Sequence, residues 1–263
     1  MSYRNFTYEI QEHVAHITIN RPEAYNALTY ESMQELLDIT NRCSTDTSVR
    51  AVVLRGSGEK AFCAGGDVGS FATNADRVDT LLREMTGVLH TAISRLAWMN
   101  APVIAAVNGV AAGAGLSLVA AADLAISVDH AKYASAYTQI GLSPDGSSTY
   151  FLPRVIGRRR AMEIYLTNRT LTATEALDWG LVNHVVSAID FNKEVTALAE
   201  NLANGPTIAF GGVKKLLMMS SLDSLESQME RETRQISELS LTLDGKEGVL
   251  AFTEKRKPKF VGK

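Results

Sequence analysis

Residues 102–123 read PVIAAVNGVAAGAGLSLVAAAD. The part from Pro102 to Gly109 is an apolar run that reads as a buried strand. The part from Gly113 onward is small and aliphatic and reads as the opening of a helix. Only glycine, alanine and one valine lie between them. A strand passing into a helix through such a loop is the building unit of an α/β sheet made by crossovers. The stretch carries one carboxylate, Asp123, at its far end, so any chemistry done by the loop itself must come from the main chain. Glycine and alanine leave backbone N–H groups open to a ligand. A helix N-terminus adds unpaired donors and partial positive charge. Two such donors aimed at one point would stabilise negative charge growing on a carbonyl oxygen.

A second loop of the same kind, KAFCAGGDVGSF at Lys60 to Phe71, also follows a strand-like run. Other readings of the first loop fail on its residues. A dinucleotide fingerprint would need glycine where Leu118 stands, and a serine-hydrolase elbow would need glycine where Val119 stands. The chain has no HExxH, and its histidines are scattered, so no metal site is expected.

Working outward, FTYEI at 6–10 and VAHITIN at 14–20 read as short strands. A helix follows, with Met33, Leu36, Leu37 and Thr40 on one face and Thr29 as its N-cap. VRAVVLRG, 49–56, is a β-branched run that reads as another buried strand. Val78, Leu81, Leu82, Met85, Val88, Leu89, Ala92, Ile93 and Leu96 keep helix period along 78–96. DLAISV, 123–128, and AKYASA, 131–136, read as the next strands. Thr172 and Glu175 make a capping box for a helix that stops near Gly180. Helical patterns then cover 195–202, 206–219, 222–239 and 246–256. The division this suggests is an α/β core over 1–205 and a mostly helical C-terminal region over 206–263.

The chain of 263 residues is long enough for one sizeable core. Its formal net charge of −3 argues against a general nucleic-acid or anionic-membrane surface. The polar stretch MSYRNFTYEIQEH lacks the apolar core of a secretory leader. The longest apolar run, 101–126, is interrupted by Asn108, by glycines and by Asp123, so no membrane span is expected. Cys43 and Cys63 suggest neither a metal spacing nor a disulfide framework. A reducing cytoplasm is the expected location.

Several stretches together resemble the enoyl-CoA hydratase/isomerase (crotonase) family. They are INRPEAYNAL, FCAGGD, PVIAAVNGVAAGAG, AKYASAYTQIGLSPDGSSTYFLPRVIG, LTNRTLTATEALDWGLVNHVV and EGVLAFTEKRKPKF, in order along nearly the whole chain. The resemblance implies a spiral of ββα units with C-terminal helices that trimerise, as a homotrimer or a dimer of trimers. It implies an acyl-CoA thioester as ligand, with no cofactor beyond the coenzyme A of the substrate. It places the oxyanion donors at the N–H groups of Gly66 and Ala114. It lines the substrate channel with Ala24, Asn26, Ala27, Ala64, Gly65, Asp67, Val68, Val110, Gly113, Tyr137 and Pro144.

Hydratases of this family use two glutamates, whose positions here are Ser117 and Tyr137. Neither is a carboxylate, which points away from a two-glutamate hydration. Asp145, in SPDGSS, is the remaining candidate base, on a turn, and is similar to the base of isomerases that shift a double bond. His90 together with Asp145 also resembles 4-chlorobenzoyl-CoA dehalogenase, in which the aspartate attacks an aryl ring and the histidine activates water. The sequence thus leaves three expectations. They are isomerisation with Asp145 as base, aryl-CoA hydrolysis using Asp145 and His90, and a non-catalytic acyl-CoA- or RNA-binding module.

Overall fold

The computed structural model describes residues 3–263; Met1 and Ser2, at the head of the polar N-terminal stretch, lie outside the described residues. Strands β1 (Phe6–Gln11) and β2 (Val14–Ile19) form a hairpin whose two turn residues, Glu12 and His13, both take positive φ. That backbone twist matches the twist of the strands it joins. Thr29 caps helix α1 (Tyr30–Thr45): its hydroxyl accepts from Ser32 N at 3.2 Å, and the Ser32 hydroxyl accepts from Thr29 N at 2.8 Å. Met33, Leu36 and Thr40 are buried on the face that the sequence marks.

The chain then repeats one step three times. Strand β3 (Ala51–Gly56) leads to β4 (Ala61–Cys63) and to helices α2 (Val68–Thr73) and α3 (Val78–Trp98). Strand β5 (Val103–Val107) leads to β6 (Val110–Ala112) and α4 (Ala114–Ala121). Strand β7 (Leu124–Val128) leads to β8 (Lys132–Ala134), α5 (Ser148–Ile156) and α6 (Arg158–Thr167). Next come β9 (Leu171–Thr172), α7 (Ala173–Asp178), β10 (His184–Val186) and α8 (Phe191–Ala203). The first strand of each step enters a six-stranded sheet, β1-β2-β3-β5-β7-β10, and the second enters a four-stranded one, β4-β6-β8-β9. From β2 to β10 every neighbouring pair of the larger sheet is parallel. The result is a ββα spiral.

Two buried asparagines brace the corner where β3 passes to β4. Asn26 donates to the carbonyls of Ser57 (3.0 Å) and Ala61 (2.8 Å). Asn108 accepts from Gly56 N (3.0 Å) and donates to the carbonyls of Gly58 (2.8 Å) and Ala61 (3.2 Å). A tight corner leaves main-chain groups without ladder partners, and these amides supply them. The buried core lies against the larger sheet and includes Ile17, Ile19, Leu36, Ile39, Val52, Leu54, Leu89, Ile93 and Ile104.

The structure departs from the sequence expectations in a few places. The strand expected over 131–136 covers Lys132–Ala134, because the chain turns at Ala136, which has a φ of 61°. Helices α5 and α6 have no expected counterpart: Pro153 inside α5 and the arginine run heading α6 blur the helical period. Helix α9 (Thr207–Met219) follows its pattern, but α10 (Leu225–Ser240) and α11 (Leu243–Thr253) are set by their caps. The Ser224 hydroxyl accepts from Ser227 N at 3.3 Å, and the Thr242 hydroxyl from Gly245 N at 2.9 Å. No helix among the described residues is long and apolar enough to cross a membrane.

Helix α9 is pinned to the core by an ion pair between the buried Lys214 Nζ and the partly exposed Asp123 Oδ2 at 2.7 Å. Lys214 also donates to the carbonyls of Leu96 (2.9 Å) and Ala101 (3.0 Å), and Asp123 accepts from Val103 N (2.8 Å). Burial pushes Lys214 below, and Asp123 above, its ordinary pKa, and their mutual attraction opposes both shifts. Removing Lys214 leaves the Leu96 and Ala101 carbonyls without their donor. Lys214→Met should therefore cost on the order of 1–2 kcal/mol, read as a lower urea midpoint. An unchanged midpoint in the variant would contradict this role.

Candidate functional site

The two glycine-rich loops meet at one point. On the loop of Lys60 to Phe71, Gly66 forms a parallel bridge with Leu28: Leu28 N donates to Gly65 O (2.7 Å), and Asp67 N donates to Leu28 O (2.9 Å). In such a bridge the opposed residue turns its own N–H and C=O the other way. The Gly66 N–H is accordingly left without a protein acceptor among the described residues, and Gly66 lies on a cavity wall. On the loop leading into α4, Gly113 N is held by Ala134 O (3.1 Å), and Ala114 is the first residue of α4. Its N–H is one of the orphan donors of that helix end, and Ala114 lines the same cavity.

Glycine permits this approach. Gly65 has a φ of 100°, and a Cβ there would stand 3.0 Å from Ala112 O and 3.3 Å from Ala114 N. A Cβ on Gly115 would stand 2.0 Å from Cys63 O, so α4 can seat against β4 only with glycine at this position. Cys63 is wholly buried beneath the loops, and burial pushes its thiol up to about 12. It packs rather than reacts.

The cavity measures about 360 Å³ and is half open. That volume suits the reacting end of a ligand whose remainder lies outside. Asp145 is the only carboxylate among its described lining residues. The Tyr137 hydroxyl donates to Asp145 Oδ1. Burial, and then the neighbouring Asp145 charge, raise Tyr137 well above the ordinary phenol range, so it stays a neutral donor. Ser117 Oγ donates to the Asp145 carbonyl at 3.0 Å and lies 3.4 Å from the Tyr137 hydroxyl. The two positions where hydratases of the resembled family carry glutamate therefore hold hydroxyl groups packed around a single aspartate.

His90 sits behind this turn. Its Nε2 accepts the N–H of Gly146 at 3.1 Å, and it is not a lining residue of the cavity. An Nε2 that accepts is unprotonated and has its lone pair engaged. In this arrangement His90 holds the Asp145–Gly146 turn.

Of the expected substrate contacts, Ala64, Gly65, Val68, Gly113 and Tyr137 line the cavity. Ala24, Ala27, Val110 and Pro144 do not. Asn26 is fully buried, with its amide committed to the corner described above, so its expected contact with substrate is corrected to a structural one. Asp67 pairs with Arg21 at 3.2 Å, and the same guanidinium reaches Ala27 O. Further walls come from α2 and α3 (Phe71, Leu82, Arg83, Met85, Thr86), within the 68–90 region that sequence reasoning assigns to the acyl pocket without naming residues. Ser135, Ile140 and Leu142 also line the cavity and were missed.

The sequence profile described as enoyl-CoA hydratase/isomerase matches residues 9–263. The chain belongs to the enoyl-CoA hydratase/isomerase family. It is 42% identical to a Rhodobacter capsulatus protein named as a probable enoyl-CoA hydratase, over 100% of both chains. It is 39% identical to 4-chlorobenzoyl coenzyme A dehalogenase-2 of an Arthrobacter species, over 89% of this chain and 85% of that one. Among solved structures, an enoyl-CoA hydratase from Bacillus anthracis superposes with a TM-score of 0.92 at 32% identity, over 99% of this chain and 100% of the other. The ββα spiral with its C-terminal helices is thus the crotonase fold.

Proposed function

We propose that this family member isomerises the double bond of an acyl-CoA thioester, with Asp145 as the base. One observation carries the reading: a single carboxylate shares the cavity with two unpaired main-chain amides. The Tyr137 hydrogen bond to Oδ1 leaves Oδ2 free to take a proton. Asp145 removes a proton from C2 of a 3-enoyl thioester. The C–H electron pair spreads over C2, the carbonyl oxygen and, through the C3=C4 bond, C4, and the N–H groups of Gly66 and Ala114 receive the charge on the oxygen. Asp145 returns the proton at C4, giving the conjugated 2-enoyl thioester. Each such donor contributes about 3 kcal/mol to the transition state. Coenzyme A enters as part of the substrate.

The test is a 3-enoyl-CoA assay read by the absorbance of the conjugated product. Asp145→Asn should lower kcat by about 10³-fold while acyl-CoA binding is retained. Unchanged turnover in the variant would remove Asp145 as the base. Formation of a 3-hydroxyacyl product from a 2-enoyl-CoA would return the chain to the hydratases.

A second reading is favoured by the dehalogenase relative and by the contact of His90 with the Asp145 turn. It predicts halide release from 4-chlorobenzoyl-CoA and a covalent adduct on Asp145, seen by intact mass. The engaged lone pair of His90 weighs against it.

The reading also includes self-association as a homotrimer or a dimer of trimers. Helix α10 buries none of its residues, and Leu225, Met229 and Ile236 stand exposed along it, followed by Leu241, Leu243 and Phe252. Exposed apolar side chains grouped in this way support the reading, since monomeric chains keep such patches small. Light scattering should give a mass of three or six chains, and Met229→Glu with Ile236→Glu should dissociate them. A monomeric parent protein at micromolar concentration would contradict the proposal.

A further inference from the structure

Ser135 directly follows β8 and is fully buried, yet its Oγ has no hydrogen-bond partner. The residue also forms part of the cavity wall. A buried hydroxyl left unpaired costs about 1–3 kcal/mol, so native chains keep one where something from outside completes it. The position says which part of a ligand is near. Gly113 N bonds the carbonyl of Ala134, the residue before Ser135, and a Cβ on Gly113 would lie 3.8 Å from Ser135 O. Two residues further on stands Tyr137, the donor to Asp145. Ser135 therefore adjoins Gly113, the residue before Ala114, and shares the cavity wall with Ala114 and Asp145.

We propose that Ser135 is a catalytic residue whose hydroxyl donates to the thioester oxygen, as a third donor beside the amides of Gly66 and Ala114. This rests on the reading that the cavity holds an acyl-CoA carbonyl. A hydroxyl rotates freely and strengthens its hydrogen bond as the acceptor gains charge, so it favours the enolate over the ground-state carbonyl.

Acetoacetyl-CoA tests the idea without requiring isomerisation. Its C2–H bond breaks, the proton passes to Asp145 or to water, and the electron pair spreads over both carbonyl oxygens. The enolate absorbs in the near ultraviolet, so its formation on the protein is followed by pH titration. The parent protein should form bound enolate at lower pH than free acetoacetyl-CoA does in water. In Ser135→Ala the midpoint should rise by about one pH unit, a tenfold weaker hold on the enolate. The Tm of the unliganded variant should be equal or higher, because an unsatisfied hydroxyl has been removed. An identical midpoint in the variant overturns the proposal, whether Tm falls, as for a packing residue, or holds, as for a residue that contacts only a water. A parent protein that shows no enolate stabilisation overturns the reading of the two amides, and this proposal with it.

Discussion

The organising contact of this protein is the seating of α4 against β4, backbone against backbone, with no side chain between. Gly115 lies where any Cβ would collide with the Cys63 carbonyl, and Gly65 lies where a Cβ would crowd Ala114 N. That closeness sets the rest. It brings the Gly66 and Ala114 N–H groups onto one cavity wall, and the fold satisfies their neighbours while leaving these two open. The parallel bridge at Leu28 takes the Gly65 carbonyl and the Asp67 N–H on either side of Gly66. The bond from Gly113 to Ala134 fixes the start of α4 so that Ala114 is its first orphan amide. A polar group left unpaired on a wall has a cost in the free protein and a use when a carbonyl oxygen arrives.

The second constraint acts on the turn that carries Asp145. It is held at three points: Tyr137 at the carboxylate, Ser117 at the carbonyl, and His90 at the next amide. Positions that resemble the glutamates of hydratases are thus filled by residues that orient a different acid. The cavity has one group able to exchange protons with carbon and several that hold it in place. Moving a proton between two carbons needs one base used twice, which is what the proposed isomerisation asks of this site.

Much of this was legible in the chain. The strand–loop–helix character of 102–123, the capping signals at Thr29 and Thr172, and the α3 stripe all follow from local chemistry that tertiary packing does not override. The cavity walls were legible only as a region, 68–90, because Phe71, Leu82 and Met85 are apolar residues on helices, and sequence cannot separate a core face from a pocket face. The contact of His90 was not legible for a related reason. A histidine announces a titratable ring, whereas its role here depends on which main-chain group its nitrogen meets. Asn26 was placed in the channel by resemblance alone, and its amide is committed to the corner it braces. Ser135 carried no sequence signal; only its buried, unpartnered hydroxyl marks it.

The central claim is that two main-chain amides hold the carbonyl oxygen of a bound thioester. Vibrational difference spectroscopy on the Asp145→Asn protein, with acyl-CoA carrying a ¹³C-labelled thioester carbonyl, measures this directly, because strong hydrogen bonding polarises the C=O bond and lowers its stretching frequency. The account predicts a bound carbonyl stretch clearly below that of the same thioester in water, moving back upward when Ala114→Pro removes one N–H at a helix position that tolerates proline. A bound carbonyl at the frequency seen in water, unmoved by Ala114→Pro, would contradict it.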